Sequence, residues 1–277
     1  MRPKIQSQLS YVPIHLTSRY EEVDLGIGTS FFYNYENKDY LITNWHNVTG
    51  RHPWDYSLIS KQAAIPDNLI IHFPYHEIFE DRSIIQWIPR VLKLYEDDER
   101  LNPVWWEHPH HSSAVDIIAI ELKEPSPTAT ITANSNLLNL EKLKLLPGMD
   151  VFILGFPRGI NGGGLFPIWK RGSIASEPDV NIDDLPKMYI DTATREGMSG
   201  SPVYAKESGF WVPEGIELLD LKHTFFGKGY RFLGIYSGRV GNDPFLAQLG
   251  IVWKEKAIQD IILSQRVGIS SFELIQK

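Results

Sequence analysis

Three short segments carry side chains that can do chemistry together. Leu41-Ile42-Thr43-Asn44-Trp45-His46 is an apolar run that ends in an imidazole. Ala114-Val115-Asp116-Ile117-Ile118-Ala119-Ile120 sets one carboxylate at the mouth of an apolar strand. Arg195-Glu196-Gly197-Met198-Ser199-Gly200-Ser201-Pro202-Val203 holds Ser199 on a tight turn between two glycines. A serine hydroxyl is a weak nucleophile at neutral pH and needs a general base within about 2.6–3.2 Å. Imidazole suits that task when its tautomer and orientation are fixed, which a buried carboxylate on the other ring nitrogen does. Asp116 fits, because Val115, Ile117 and Ile118 would shield it from water. Gly197 lets the backbone turn so that its own N–H and that of Ser199 converge on a developing oxyanion, worth roughly 2.7–4 kcal/mol per donor. Alone, each segment is commonplace. The three in the order His, Asp, Ser make a candidate nucleophilic constellation, with Ser201 as a nearby decoy.

The elements that must position these residues read as strands. Thr29 to Tyr35 and Tyr40 to Asn44 are aromatic and β-branched around the polar Glu36-Asn37-Lys38-Asp39, which predicts a hairpin with a four-residue loop. Further strands are expected at Asn68–Phe73, Ile84–Ile88, Val91–Tyr95 and Val115–Leu122. After a Pro-punctuated linker from Glu124 to Gly148 come Asp150–Gly155, Trp169–Ser176, Met188–Thr192, Pro202–Ala205 and Tyr230–Ser237. Only Lys254–Ser264 reads as helix, with Ala257, Ile258, Ile261 and Ile262 on one face. Many short strands and one terminal helix predict an all-β protein.

Composition narrows the classes. The 277 residues include 27 Lys+Arg against 34 Asp+Glu, a formal charge of −7, which argues against a duplex-DNA binder. With no cysteine there is no disulfide framework, thiol nucleophile or thiolate zinc site. No run of about 18 apolar residues suggests a membrane span, and the first residues lack the apolar core of a secretory signal. A cytoplasmic protein is the expectation.

The set Gly26-Ile27-Gly28-Thr29-Ser30-Phe31-Phe32, Thr43-Asn44-Trp45-His46, Val115-Asp116-Ile117-Ile118-Ala119 and Gly197-Met198-Ser199-Gly200-Ser201-Pro202 resembles the trypsin-like, chymotrypsin-fold serine peptidases. Their bacterial, cysteine-free branch, with glutamyl endopeptidases and HtrA-type peptidase domains, is the nearest. The resemblance implies two six-stranded antiparallel β-barrels and a C-terminal α-helix. It implies an N-terminal arm over 1–25, a first barrel over 26–135, a second over 136–252, and the helix and tail over 253–277. His46 is then the general base, Asp116 its orienting partner and Ser199 the nucleophile of a serine endopeptidase that forms an acyl-enzyme, with the Gly197 and Ser199 amides as oxyanion hole. The rival readings are a peptide-binding scaffold with gated or vestigial catalysis, and a small-ester hydrolase. The expected partners are a polypeptide substrate and, beyond it, a regulatory protein.

Digestive members of this family carry an aspartate just before the nucleophile, which pairs with a new amino terminus after trimming. Here that residue is Met198, so the resemblance implies no such zymogen switch. The specificity pocket is expected to have Ala193 and Thr194 at its base and Tyr236, Ser237 and Gly238 on one wall. With no acid there, an uncharged or modestly polar P1 residue is expected; Arg195 and Arg239 raise an acidic P1 as the alternative. No cofactor or metal is expected. Glu107-His108-Pro109-His110-His111 places three histidines around a proline, from which they cannot easily converge on one tetrahedron, and reads as a surface loop leading to the Asp116 strand. Asn161-Gly162-Gly163-Gly164 lacks the Lys-Ser/Thr of a phosphate loop and reads as a loop near the cleft. Glu96-Asp97-Asp98-Glu99 reads as a solvated turn.

Overall fold

Aromatic and β-branched residues dominate the runs that become strands. The computed structural model describes residues 5–60, 63–79, 82–123, 130–193, 195–217, 221–241 and 248–275. The first six-stranded antiparallel sheet comprises β1 (Pro13–Tyr20), β2 (Val23–Tyr35), β3 (Lys38–Thr43), β4 (Asn68–Phe79), β5 (Arg82–Lys93) and β6 (Ile118–Glu121), paired in the order β5-β4-β1-β2-β3-β6. Its edge strands, β5 and β6, face each other across an apolar groove of about 740 Å³ lined by Ile71, Phe73, Val104, Trp106, Ile120 and Leu122. The second unit is a closed antiparallel barrel of β7 (Asp150–Gly155), β8 (Ile168–Ile174), β9 (Lys187–Asp191), β10 (Pro202–Trp211), β11 (Phe225–Arg239) and β12 (Leu249–Lys254). Among the described residues two α-helices complete the set, α1 (Trp45–Thr49) and α2 (Glu255–Ser264).

The expected all-β architecture of two six-stranded units and a C-terminal helix is present, and the differences lie in how far single strands run. The first hairpin is tighter than expected. β2 reaches Tyr35 and β3 starts at Lys38, so Glu36 and Asn37, with φ of 49° and 63°, form a two-residue turn whose twist suits the strands. Residues 84–88 and 91–95 belong to one strand as far as Lys93. Pro89, opposite His72, interrupts no ladder because β5 is an edge strand. Of the arm expected over 1–25, Pro13–Tyr20 is a sheet strand paired on both sides, by β2 and β4, with Ile14 and Leu16 fully buried. The strand expected from Val115 begins only at Ile118, because a 3₁₀ turn at Ser112–Ala114 delays it. Asp116 therefore stands just ahead of β6. Within the linker expected over 124–148, residues 124–129 lie outside the described set. Beyond them, Ala133 donates its N–H to the Phe32 carbonyl and accepts the Tyr204 hydroxyl, so this stretch ties the two units together.

Three clusters form the core. One fills the first sheet around Trp45, Leu41 and Ile71, and one fills the barrel around Ile153, Met188 and Val252. The third joins the units, with Phe31 and Ile42 meeting Leu154, Phe232 and the face of α2 formed by Ala257, Ile258, Ile261 and Ile262. The site lies where the units meet.

Candidate active site

His46 sits in the first turn of α1, a helix of only five residues. Asn44 precedes the helix in extended conformation, and Gly50 ends it with φ of 65°, its N–H bonding the His46 carbonyl at 3.0 Å. Both ends are needed to bring the chain out of β3 and turn the imidazole toward the barrel. The Asn44 Nδ2 donates to the Asp116 carbonyl at 2.6 Å, which fixes the carboxylate segment against the start of α1.

Asp116 is 3% exposed, and its charge is met on both oxygens. The His46 backbone N–H donates to Oδ1 at 3.0 Å, and His46 Nδ1 lies 2.7 Å from Oδ2. The Ser237 hydroxyl donates to the same Oδ2 at 2.5 Å. A carboxylate acceptor places the ring proton on Nδ1, which leaves Nε2 with a lone pair. Buried charge is tolerated where donors converge in this way.

Ser199 is delivered by the barrel, in the turn before β10, but the first sheet holds it. The Thr29 N–H of β2 donates to the Ser199 carbonyl at 2.8 Å, and the Thr29 hydroxyl donates to the Gly197 carbonyl at 2.9 Å. Gly200 donates its N–H to the Tyr236 carbonyl at 2.9 Å. Gly197 has φ of 87°, and a Cβ there would collide with the Phe156 carbonyl; only glycine fits. Met198, fully buried, anchors the turn in the barrel core. Among the described residues, the Gly197 and Ser199 N–H groups have no backbone acceptor, so both remain available to a ligand. His46, Gly197 and Ser199 line one cleft of about 370 Å³. The Ser199 hydroxyl donates to the Ser237 carbonyl at 3.5 Å.

Taken together, a carboxylate-held imidazole and a serine on a glycine turn with free amides share a cleft between two antiparallel β units. The sequence profile of the trypsin-like peptidase domain matches residues 28–212. The chain belongs to that family. This trypsin-like peptidase is accordingly a serine endopeptidase by kind. Solved structures similar to it include the Rv3671c protease of M. tuberculosis in its active form (16% identity, 94% of this chain and 82% of that one, TM-score 0.45). The serine endoprotease from Yersinia pestis is similar at 12% identity over 95% of this chain and 67% of that one, with TM-score 0.47. The thermostable serine protease AL20 from an extremophilic microorganism is similar at 11% identity over 93% and 98%, TM-score 0.47. No curated protein matches the chain.

The residues expected to shape the specificity pocket of this trypsin-like peptidase are placed less uniformly. Ala193 is exposed, and Thr194 lies outside the described residues. The Tyr236 ring, 2% exposed, points into the barrel interior and packs on Gly250, where a Cβ would lie 2.6 Å from its Cε2. Ser237 turns its hydroxyl to Asp116 and so serves the imidazole's partner. Gly238, with φ of 141°, has open space where a side chain would be. The sequence gives no individual role to Thr29 or Glu107, although both stand in the segments quoted above. The Glu107 Oε1, 2% exposed as a residue, accepts the indole N–H of Trp45 at 2.9 Å, that of Trp105 at 3.2 Å and the Ile269 N–H at 3.1 Å. It thus ties the residue before His46 to the C-terminal tail. No local pattern distinguishes such a glutamate from a surface one.

The three-histidine segment does not open outward as one surface loop. His108 is 3% exposed, and its Nδ1 accepts the N–H groups of His110 and His111 at 3.3 Å. Among the described residues no group of three or more His, Asp or Glu side chains is arranged to hold a metal. The acidic run at 96–99 is a turn in which Asp97 accepts the N–H groups of Leu101 and Asn102. No helix among the described residues is long and apolar enough to cross a membrane.

Proposed function

We propose that this trypsin-like peptidase cleaves peptide bonds through an acyl-enzyme on Ser199. The observation that carries the reading is the double contact of His46 with Asp116, through Nδ1 and through the backbone N–H, with Ser199 in the same cleft. His46 Nε2 takes the hydroxyl proton as Ser199 Oγ attacks the scissile carbonyl carbon. The Gly197 and Ser199 N–H groups receive the oxyanion, each worth roughly 2.7–4 kcal/mol in the transition state. As the C–N bond breaks, His46 returns the proton to the leaving amine. Water then attacks the ester with His46 again as base, and Ser199 is regenerated. Asp116 orients the ring and stabilises the imidazolium, with the Ser237 hydroxyl sharing the carboxylate.

On the acyl side the inferred P1 residue is uncharged or modestly polar, since none of Ala193, Tyr236, Ser237 and Gly238 brings an acid to the expected pocket. A second reading, catalysis gated until substrate or a partner binds, draws on the Ser199 rotamer. Its hydroxyl bonds the Ser237 carbonyl at 3.5 Å. Active-site hydrogen bonds often tighten only in the substrate complex. Incubation of the protein with a denatured protein substrate tests the proposal. Turnover by the native chain and none by Ser199→Ala, with an unchanged circular dichroism spectrum, is the expected result. Equal turnover by both removes Ser199 from the mechanism.

A further inference from the structure

The cleft at the site is not on the side of the residues expected to shape the specificity pocket. Besides His46, Gly197 and Ser199, its apolar walls are Leu25 and Ile27, early in β2, and Ile59, Ala64 and Pro66, which follow α1; Ser18, Asn47, Ser60 and Glu196 add polar edges. None of Ala193, Tyr236, Ser237 or Gly238 lines it. The two halves of a bound substrate can be assigned by chemistry. The half that becomes the acyl group is attached to Ser199 and runs past β11, where Gly238 leaves the backbone open. The half that departs must present its nitrogen to the His46 imidazole, over α1, and that is where the cleft begins.

We infer that this enzyme selects its cleavage sites mainly by bulky apolar residues immediately after the scissile bond, held in the cleft between Leu25, Ile27, Ile59 and Pro66. This inference rests on the acyl-enzyme reading and names the substrate class for it. The volume of about 370 Å³ lies within the roughly 300–1,000 Å³ of small-ligand pockets, room for more than one side chain. Ile27 and Ile59 are 45% and 44% exposed, and large apolar side chains grouped on a concave surface mark a binding surface. The carboxylate among the lining residues is Glu196, on the edge nearest Ser199, so an acidic residue after the bond meets like charge. On the opposite side the Tyr236 ring is packed into the barrel core against Gly250 and is not part of the cleft. Continuity with the catalytic residues makes the departing half of the substrate the occupant.

The test digests a denatured protein mixture with the full chain and reads the new amino termini by mass spectrometry. In parallel, the same preparation is treated with a fluorophosphonate. The inference predicts at least about tenfold enrichment of Leu, Ile, Met and Phe over Asp and Glu in the first two positions after the cut. Ile59→Asp is predicted to move that preference at least about tenfold toward Lys and Arg, while Leu137→Asp, on an exposed turn elsewhere, leaves it where it was. A flat profile after the cut from protein whose Ser199 is labelled overturns the inference and leaves the acyl-enzyme reading standing. Failure of Ser199 to label overturns that reading, and the inference with it.

Discussion

The Thr29 N–H donates to the Ser199 carbonyl at 2.8 Å, so a strand of the first sheet directly holds the serine turn of the second unit. The contact is close enough to dictate composition: a Cβ on Gly200 would collide with the Thr29 carbonyl. The two units are therefore registered to each other at the point where the imidazole and the hydroxyl must meet. The geometry of the candidate site is a property of the interface, not of either unit.

Gly197 carries a second steric constraint in that turn. Gly197→Ala places a methyl group against the Phe156 carbonyl at a positive φ, so the turn must shift and its amides lose their aim. We expect kcat to fall roughly 10²–10³-fold, the loss associated with one oxyanion donor. Steady-state kinetics on a cleaved peptide, beside a thermal melt, checks this. A loss of stability with kcat retained would show that the amide is not used.

Asp116→Asn keeps the shape but offers an amide where three donors converge. The ring proton then shifts to the wrong nitrogen, and kcat should drop by roughly 10⁴ with the fold intact. Ser237→Ala should cost far less, because His46 retains both of its contacts with the carboxylate. Equal losses in the two variants would contradict the assigned orienting role.

Glu107 should govern stability and, through Trp45, the imidazole. Glu107→Leu strands two buried indole N–H donors and the half-buried Ile269 N–H, and each unmet buried donor costs about 1–3 kcal/mol. A destabilisation of at least about 3 kcal/mol in denaturant unfolding is expected. Glu107→Gln, which keeps an acceptor oxygen, should lose less. The tail reinforces the same region: Arg51 Nε donates to the Ser271 carbonyl and hydroxyl at 3.0 Å, and the Ser271 hydroxyl donates to the Thr49 carbonyl at 2.6 Å.

Acid should weaken the fold at two buried histidines. Burial lowers His15 to about 4, with the facing His72 adding to it. Burial likewise lowers His108 to about 4, helped by His111 and His110 and opposed by Asp260. Below the ordinary value of 6.5 the unfolded chain binds protons that the folded chain refuses. Their contribution is thus complete above pH 6.5 and is lost as pH falls toward 4. Unfolding free energy measured from pH 7 to 4 should show this decline, and His15→Phe should shallow it. His15 packs on Phe156, whose carbonyl abuts Gly197, so the decline begins beside the site.

The segments around His46, Asp116 and Ser199 were legible because each combines an apolar strand signal with one reactive side chain, and the chain order adds a constraint. The face of α2 was legible for the same reason, since Ala257, Ile258, Ile261 and Ile262 repeat with helical period. Strand ends were less so. β1 has Ile14 and Leu16 alternating with His15 and Thr17, but two histidine-flanked turns of alternation look like surface sequence until both neighbouring strands are known. Ser237 was read as a pocket wall because adjacency along β11 says nothing about which residue's side chain turns toward Asp116; the irregular register between Tyr236 and Gly238 decides that. Glu107 was invisible because its three donors come from residues 45, 105 and 269. Such long-range satisfaction exists only in the folded state.

The central claim is that Ser199 is a hydroxyl activated by His46. Reaction of the native protein with a fluorophosphonate, followed by peptide mapping, measures it most directly. One adduct per chain, on Ser199, lost in His46→Ala and absent from Ser199→Ala, is the predicted result. Labelling at Ser201 instead, or equal labelling with and without His46, would contradict it.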